Sequence, residues 1–207
     1  MDIQEAYDDW SETYDTDENL TRDLDQKVTR AALANLHFDS ILEIGCGTGK
    51  NTSFLAQIGR SVDAVDFSKG MLEKAKEKAG AANVRFAMMD ITKEWNFEDQ
   101  SFDLIVCNLV LEHIKDLSFI FSEASRTLKE KGRFFINELH PFKQYEGTQA
   151  RFYRGVETIQ VGAFVHHISE FINAALSNGL KLVALDEYWH ENDQNRPPRI
   201  MSFMFEK

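Results

Sequence analysis

The chain has 207 residues and a mass of 23.8 kDa, with 43% hydrophobic and 28% charged residues and a net charge of −11. That is ordinary globular composition for one domain, and it excludes a disordered tail protein, a collagen-like chain and a disulfide scaffold. The acidic balance opposes unguided binding to a phosphate backbone. No apolar run approaches the roughly 20 residues that span a bilayer. The start, MDIQEAYDDW, is acidic where a signal peptide is basic and then apolar. Cys46 and Cys107 form no CxxC pair and no metal-ligand spacing. A protein of a reducing compartment, the cytoplasm, without membrane contact is expected.

Ile3, Tyr7, Trp10 and Tyr14 recur at spacings of three and four, which predicts an amphipathic helix. Leu20, Leu24, Val28, Ala31 and Leu36 form the stripe of a second. Then the period shortens. Residues 40–44 read as a buried strand stopped by Gly45, residues 52–58 as a helix, and residues 62–65 as a second strand. Ser68 is placed to cap a helix whose inner side is Met71, Leu72, Ala75 and Ala79. Residues 83–89 and 102–107 are further strands. A helix over 117–128 carries Phe121, Ala124 and Leu128 on one side. Lys131-Gly132 marks a stop before a fifth strand over 133–139. Ile168, Phe171, Ile172, Ala175 and Leu176 line a last helix that Asn178-Gly179 ends.

Short apolar strands alternating with helices mean a parallel sheet covered on both faces. The segments 180–188 and 200–206 are strands joined by a polar stretch with Pro197-Pro198 and no helical pattern. A parallel crossover needs a dozen or more residues, usually a helix, so these two should pair antiparallel. The expected architecture is a single α/β domain over 1–207. It is Rossmann-like and doubly wound, with five parallel strands and a C-terminal antiparallel hairpin. Helices over 1–36 would form a lid, and an insert over 140–165 would lie on the substrate side.

The strongest chemical signal is LEIGCGTGKN, Leu42 to Asn51, directly after the first strand. Gly45, Gly47 and Gly49 let the backbone turn tightly and approach a ligand at the carboxyl end of a strand. The dinucleotide pattern GxGxxG fails because its third glycine would fall at Lys50, which disfavours a nicotinamide dehydrogenase, and no P-loop is present. Asp66 ends the second strand, 17 residues after Gly49. A carboxylate there can accept both ribose hydroxyls of an adenosine, and as a lone exposed acid near a helix start it should matter little to stability. Asp90-Ile91 follows the third strand, where the acid can accept from an adenine amino group and the isoleucine can pack on its ring.

These segments resemble those of class I S-adenosylmethionine-dependent methyltransferases acting on small molecules. LEIGCGTG is similar to that family's first motif and VDAVDFSKGMLEKAKEK to its second. MMDITKEWNFEDQSFDLIVCNLVLEHI and LKEKGRFFINE resemble its later ones, and YDDWSETYD its start. The resemblance covers roughly residues 5–140. It implies S-adenosylmethionine as cofactor, with S-adenosylhomocysteine as product. The implied contacts are Glu43, Gly45, Cys46, Gly47 and Gly49 on the first strand and loop, and Asp66, Phe67 and Met71 on the second. Asp90, Ile91, Asn108 and Leu109 would follow further along, with Tyr7 and Tyr14 in the lid, where aromatic faces suit a sulfonium. The [DN]PP[YFW] signature of amino-methylating nucleic-acid enzymes is absent, since residues 108–111 read NLVL. The histidines show neither HxxxH nor HExxH, so no metal is expected.

If the acceptor must lose a proton, His140, Glu112 and His113 are candidate bases, with His140 nearest the insert. Phe142, Tyr145, Arg151 and Tyr153 of the insert are candidate acceptor contacts, together with Phe152 and Phe164. The acceptor would be a small molecule, of unassigned methylated atom, and the chain a monomer or homodimer. A noncatalytic S-adenosylmethionine-binding regulatory module is the alternative.

Overall fold

The computed structural model describes residues 2–194 and 196–207. Seven strands form one sheet: β1 (Phe38–Ile44), β2 (Gly59–Asp66), β3 (Val84–Met88), β4 (Phe102–Asn108), β5 (Leu128–Leu139), β8 (Lys181–Tyr188) and β9 (Ile200–Glu206). Their order is β3-β2-β1-β4-β5-β9-β8. The first five pair in parallel, and β9 is antiparallel to both β5 and β8. The sheet therefore reverses direction only at β9, which slots between its hairpin partner and the parallel core. This is the doubly wound arrangement expected above. The strand order turns back between β1 and β4, and ligands bind at the carboxyl ends beside such a switch point.

The helices are α1 (Ile3–Trp10), α2 (Leu20–Leu33), α3 (Thr52–Ile58), α4 (Lys69–Ala79), α5 (Leu117–Thr127) and α7 (Ile168–Ser177). Alternation along β1 and β4 sends side chains to opposite faces. Leu42, Ile44, Ile105 and Cys107 pack with α5 and α7, whereas Ile41, Leu104 and Val106 pack with α2, α3 and α4. The helical face of α2 differs from the expected stripe. Ala31 is exposed, while Arg22, Asp25 and Thr29 are buried beside Leu24 and Val28. Met71, Leu72, Ala75 and Ala79 are the buried side of α4, and Ser68 Oγ accepts from Met71 N as its cap.

The stop expected at Lys131-Gly132 is instead a kink inside β5. Leu128 already pairs with Phe102, and the ladder resumes after a register shift at Leu104–Arg133. Lys131 takes φ +64° there, which lets the strand bulge rather than end.

The insert contains α6 (Pro141–Tyr145) and a two-stranded antiparallel hairpin of β6 (Arg151–Arg154) and β7 (Glu157–Gln160). Phe152 points inward and stacks on Trp10 with ring centroids 5.3 Å apart. The insert thus packs on α1. No helix among the described residues is long and apolar enough to cross a membrane.

Phe203 is fully buried in β9, stacked on Phe171 at 4.9 Å and on Phe205 at 5.6 Å. Phe203→Ala is expected to lower unfolding free energy by about 3–5 kcal/mol. A denaturant titration showing less than about 1 kcal/mol would mean the core around β9 repacks freely.

Candidate functional site

The ends of β1 and β2 meet at one carboxylate. Asp66 Oδ2 accepts from Gly47 N at 2.8 Å, and Oδ1 accepts from Ser68 N at 2.9 Å. Gly47 has φ +53°, and a Cβ built on it would meet no atom within 4 Å, so its backbone is open to a ligand. Gly49 serves packing, because a Cβ there would lie 3.0 Å from Ala79 Cβ and 3.2 Å from Ala75 Cα. The close helix approach that a dinucleotide fold assigns to its third glycine falls here on Gly49, one residue before Lys50. Asp66 is buried, not exposed as the sequence suggested, and it holds two backbone donors. Loss of water pushes its carboxyl up to about 6 despite those bonds.

A cleft of about 160 Å³ opens over these strand ends. Gly45, Gly47, Asp66, Phe67, Met71, Asp90, Ile91, Asn108, Leu109, Tyr7 and Tyr14 all line it, so the structure brings most of the expected contacts together. Glu43 and Cys46 lie beside it, in a deeper recess shared with Asp25, Asn51 and Asn108. Gly49 is not among the cleft residues. Sequence reasoning assigned no cofactor contact to Ile3, Met89, Thr92, Val110 and Ile114, which also line the cleft; they are apolar or small residues beside the ones it named, or, for Ile3, part of the first helix's apolar stripe.

Below the loop lies a buried polar layer. Asp25 accepts from Asn51 Nδ2 at 2.9 Å and from Asn137 Nδ2 at 2.7 Å. Asn108 Nδ2 donates to Thr29 Oγ1 at 2.7 Å, and Asn108 Oδ1 has no partner among the described residues. Glu43 accepts from Thr52 Oγ1 at 2.5 Å. Burial raises Asp25 to about 6 and Glu43 to about 8. Asp25 carried no motif, and Asn137, though inside LKEKGRFFINE, had no role assigned to it. The signal each offered was a polar residue at a core-facing position.

The turn after β4 is held from β5. Val110 N and Leu111 N both donate to Glu138 Oε1 at 2.8 Å, and Glu138 is pushed up to about 8, chiefly by burial. That grip fixes Leu109 at φ +56°, a strained conformation for leucine, between the cleft and the chamber beyond it.

The first helix closes the top. Asp8 Oδ1 accepts from Ser68 Oγ at 2.6 Å and Gly70 N at 3.0 Å, docking α1 on the start of α4. Tyr7 reaches across to His113, hydroxyl to Nε2 at 2.7 Å. His113 Nδ1 lies 2.7 Å from the Gly162 carbonyl, which can only accept, so Nδ1 carries the proton and Nε2 accepts from Tyr7. Burial lowers the imidazole pKa further, and the ring is neutral. Tyr14 gives one ring face to the Arg22 guanidinium at 4.0 Å, leaving less of it for a ligand than the sequence suggested.

His140 sits elsewhere. It is fully buried, with Nε2 bonded to Glu187 Oε1 at 2.7 Å and Nδ1 accepting from Phe142 N at 3.2 Å, as the cap of α6. It does not line the cleft. Phe142, Tyr145 and Tyr153 are exposed by 49%, 57% and 65%, and Arg151 is exposed. Alternation along β6 explains Arg151 and Tyr153, because Phe152 faces in and its neighbours face out, whereas Phe142 and Tyr145 lie on the outer side of α6, whose buried residues are Pro141 and Lys143. The insert instead offers Thr148, Gln149 and Ala150 to the chamber beyond Tyr7. Cys46 and Cys107 are buried free thiols. Among the described residues, no cluster of three or more His, Cys, Asp or Glu is placed to hold a metal.

Residues 42–136 match the family described as a methyltransferase domain. A ubiquinone biosynthesis O-methyltransferase of Pelagibacter ubique is 30% identical over 59% of this chain and 50% of its own length. A demethylmenaquinone methyltransferase of Clavibacter sepedonicus is 33% identical over 66% of this chain and 57% of its own. The chain thus spans about half the length of these curated relatives. The N-methyltransferase NodS of Bradyrhizobium japonicum, solved with S-adenosyl-L-homocysteine, superposes with a TM-score of 0.75 at 17% identity, covering 100% of this chain and 99% of NodS. The fold is that of class I S-adenosylmethionine-dependent methyltransferases.

The buried acids set a pH dependence. Asp25, Glu43, Asp66, Glu112 and Glu138 all have folded-state values raised above their unfolded ones, chiefly by desolvation. The folded chain then holds more protons than the unfolded one. Their stability contribution is full below about pH 4 and is lost as pH rises through about 6 to 8. The ligand-free protein should melt at a higher temperature at pH 5.5 than at pH 8.5. Glu43→Gln should flatten that slope. Equal melting temperatures across this range would show that these acids are ionised and solvated.

Proposed function

We propose that this chain transfers a methyl group from S-adenosylmethionine to a small-molecule acceptor. The observation that carries the reading is the cleft itself, in which the expected contacts converge on the glycine loop and Asp66 from four separate strand ends. The residues present fit this cofactor. Gly47 leaves backbone room, and Phe67, Met71, Met89, Ile91 and Ile114 supply apolar walls. Asp66 and Asp90 offer acceptor oxygens, as does Asn108 with its unpartnered carbonyl. When bound, the cofactor supplies a methyl already activated by a positive sulfur.

The protein's part is orientation and exclusion of water. In-line displacement needs the acceptor atom about 3 Å from the methyl carbon and opposite the departing sulfur. Tyr7, fixed by His113, and Leu109, fixed through Glu138, form the partition between cleft and chamber where that alignment would be set. His140, bound at both ring nitrogens, is read as a structural cap. The relatives named above act in quinone biosynthesis by their names, which favours a small organic acceptor here. The reading keeps the protein in the cytoplasm and away from nucleic acid.

Thermal-shift titration is the direct test. S-adenosylmethionine and S-adenosylhomocysteine should stabilise the chain by about 2.7 kcal/mol at 100-fold excess over Kd. A reduced nicotinamide dinucleotide should not. The opposite pattern would sink the reading, and binding without transfer to any of a metabolite panel would favour a regulatory module.

Asp66 sharpens the test, because each charge-assisted hydrogen bond is worth roughly 1.5–3 kcal/mol. Asp66→Asn should weaken cofactor binding by about 10- to 1000-fold in calorimetry. Asp66→Ala should in addition lower fold stability by about 1–3 kcal/mol, since it orphans the Gly47 and Ser68 amides. Affinity retained within about threefold in Asp66→Asn would remove the ribose assignment.

A further inference from the structure

A second chamber lies on the far side of Tyr7 and Leu109 from the cleft. It is lined by the rings of Tyr7, Trp10 and Tyr14 and by two charged side chains, Arg22 and Glu112. Glu112 is 8% exposed, and its Oε2 has no hydrogen-bond partner among the described residues. Gln144 reaches the same carboxyl, but burial outweighs that bond and raises Glu112 to about 7. A buried, unpaired carboxylate oxygen costs roughly 1–3 kcal/mol or more, so a site that keeps one is shaped for a donor brought from outside.

The other groups facing Glu112 do not serve it. His113 Nε2 lies 3.9 Å away and is occupied by the Tyr7 hydroxyl. Tyr7 is pushed well above its ordinary value by burial and acts as a donor to that nitrogen. Glu138, from β5, is a second acid that raises Glu112's neighbourhood in negative potential and is turned to the amides of Val110 and Leu111. Arg22, from α2, donates to the Tyr14 and Asp17 carbonyls and stacks on Tyr14 and Trp10.

Arg22 narrows the acceptor. A permanent guanidinium in the wall repels an ammonium and favours a group that becomes negative as it reacts. Flat aromatic walls favour a planar ring. We propose, resting on the methyltransferase reading, that this chamber is the acceptor pocket, that it takes a phenol-type O–H on a planar ring, and that Glu112 binds that hydroxyl and receives its proton. In balance, the acceptor oxygen forms a bond to the methyl carbon while the carbon–sulfur bond breaks and its electron pair stays on sulfur. The hydroxyl proton passes to the Glu112 carboxylate, and the products are an aryl methyl ether and the neutral thioether.

Catechol is the probe, tested on the full chain loaded with S-adenosylhomocysteine for binding and with S-adenosylmethionine for turnover. Wild type should bind catechol more tightly than toluene or methylammonium in calorimetry. Glu112→Gln should keep that affinity within about threefold yet lower kcat by about 10²–10⁴-fold, as loss of a general base does. The rising limb of the wild-type kcat/KM profile near neutral pH should vanish in that variant, and Glu112→Asp should restore part of the rate. Unchanged kcat in Glu112→Gln, preference for methylammonium, or catechol binding without turnover would overturn the proposal. Cofactor thermal shift on the same variants separates the two readings. Cofactor binding with no catechol binding overturns this proposal alone, and no cofactor binding overturns the reading it rests on.

Discussion

The Asp66 carboxylate ties together four parts of the molecule. It grips Gly47 of the loop after β1 and Ser68 at the start of α4. Ser68 Oγ caps α4 and donates to Asp8 of α1. One side chain and its neighbour therefore set the glycine loop, the second strand's end, α4 and α1 in register. Together with the segments that follow β3 and β4, these parts line the cleft. Its shape is hard to change at one end without moving the others, because the shared atoms are buried backbone donors that have few other partners.

The strand ends are also electrically unusual. Five buried carboxyls surround them, whereas the buried cations are Arg22 and Lys143. Three of them hold backbone or amide donors, so burial serves geometry: Asp66 the loop, Glu138 the turn after β4, Asp25 the asparagine layer. The cost is a set of raised carboxyls in a confined volume. Such strain is tolerated where preorganised polar groups are needed, and rarely in a core that only has to fold.

What could be read from the sequence follows from how local each signal is. The seven strands of the main sheet and α3, α4, α5 and α7 were legible because their apolar periods are complete within ten residues or so, whereas β6 and β7 of the insert were not expected. The reversed last strand followed from a missing crossover helix. The glycine loop and Asp66 were legible as a spacing. The buried state of Asp66 was not, because it depends on which amides the folded loop turns toward it. Glu138 and Asp25 were invisible for the same reason. Glu138, an acid after the apolar run of β5, reads as a strand end until the turn it holds is in place, and Asp25 reads as one more charge on a polar helix. The insert misled because its aromatics look like a pocket wall, while alternation along β6 turns Phe152 in and Tyr153 out, and α6 leaves Phe142 and Tyr145 on its outer side.

The partition between cleft and chamber shows how fold strain and site chemistry join. Leu109 holds a left-handed backbone that a glycine would adopt freely, and its side chain borders both spaces. Glycine there would relieve the strain but remove the wall. Glu138 makes the strained turn stable by accepting two successive amides, and Asn137 O accepts the Leu109 N–H at 2.8 Å. On the other side, the Tyr7–His113–Gly162 chain fixes the opposing ring with a single tautomer. Two edges, one from the sheet and one from α1, thus border both spaces. On the proposed reading, an acceptor atom would meet a gap held on both sides by hydrogen bonds. That is the kind of positioning an in-line displacement needs, and it requires no flexible loop at the reacting centre.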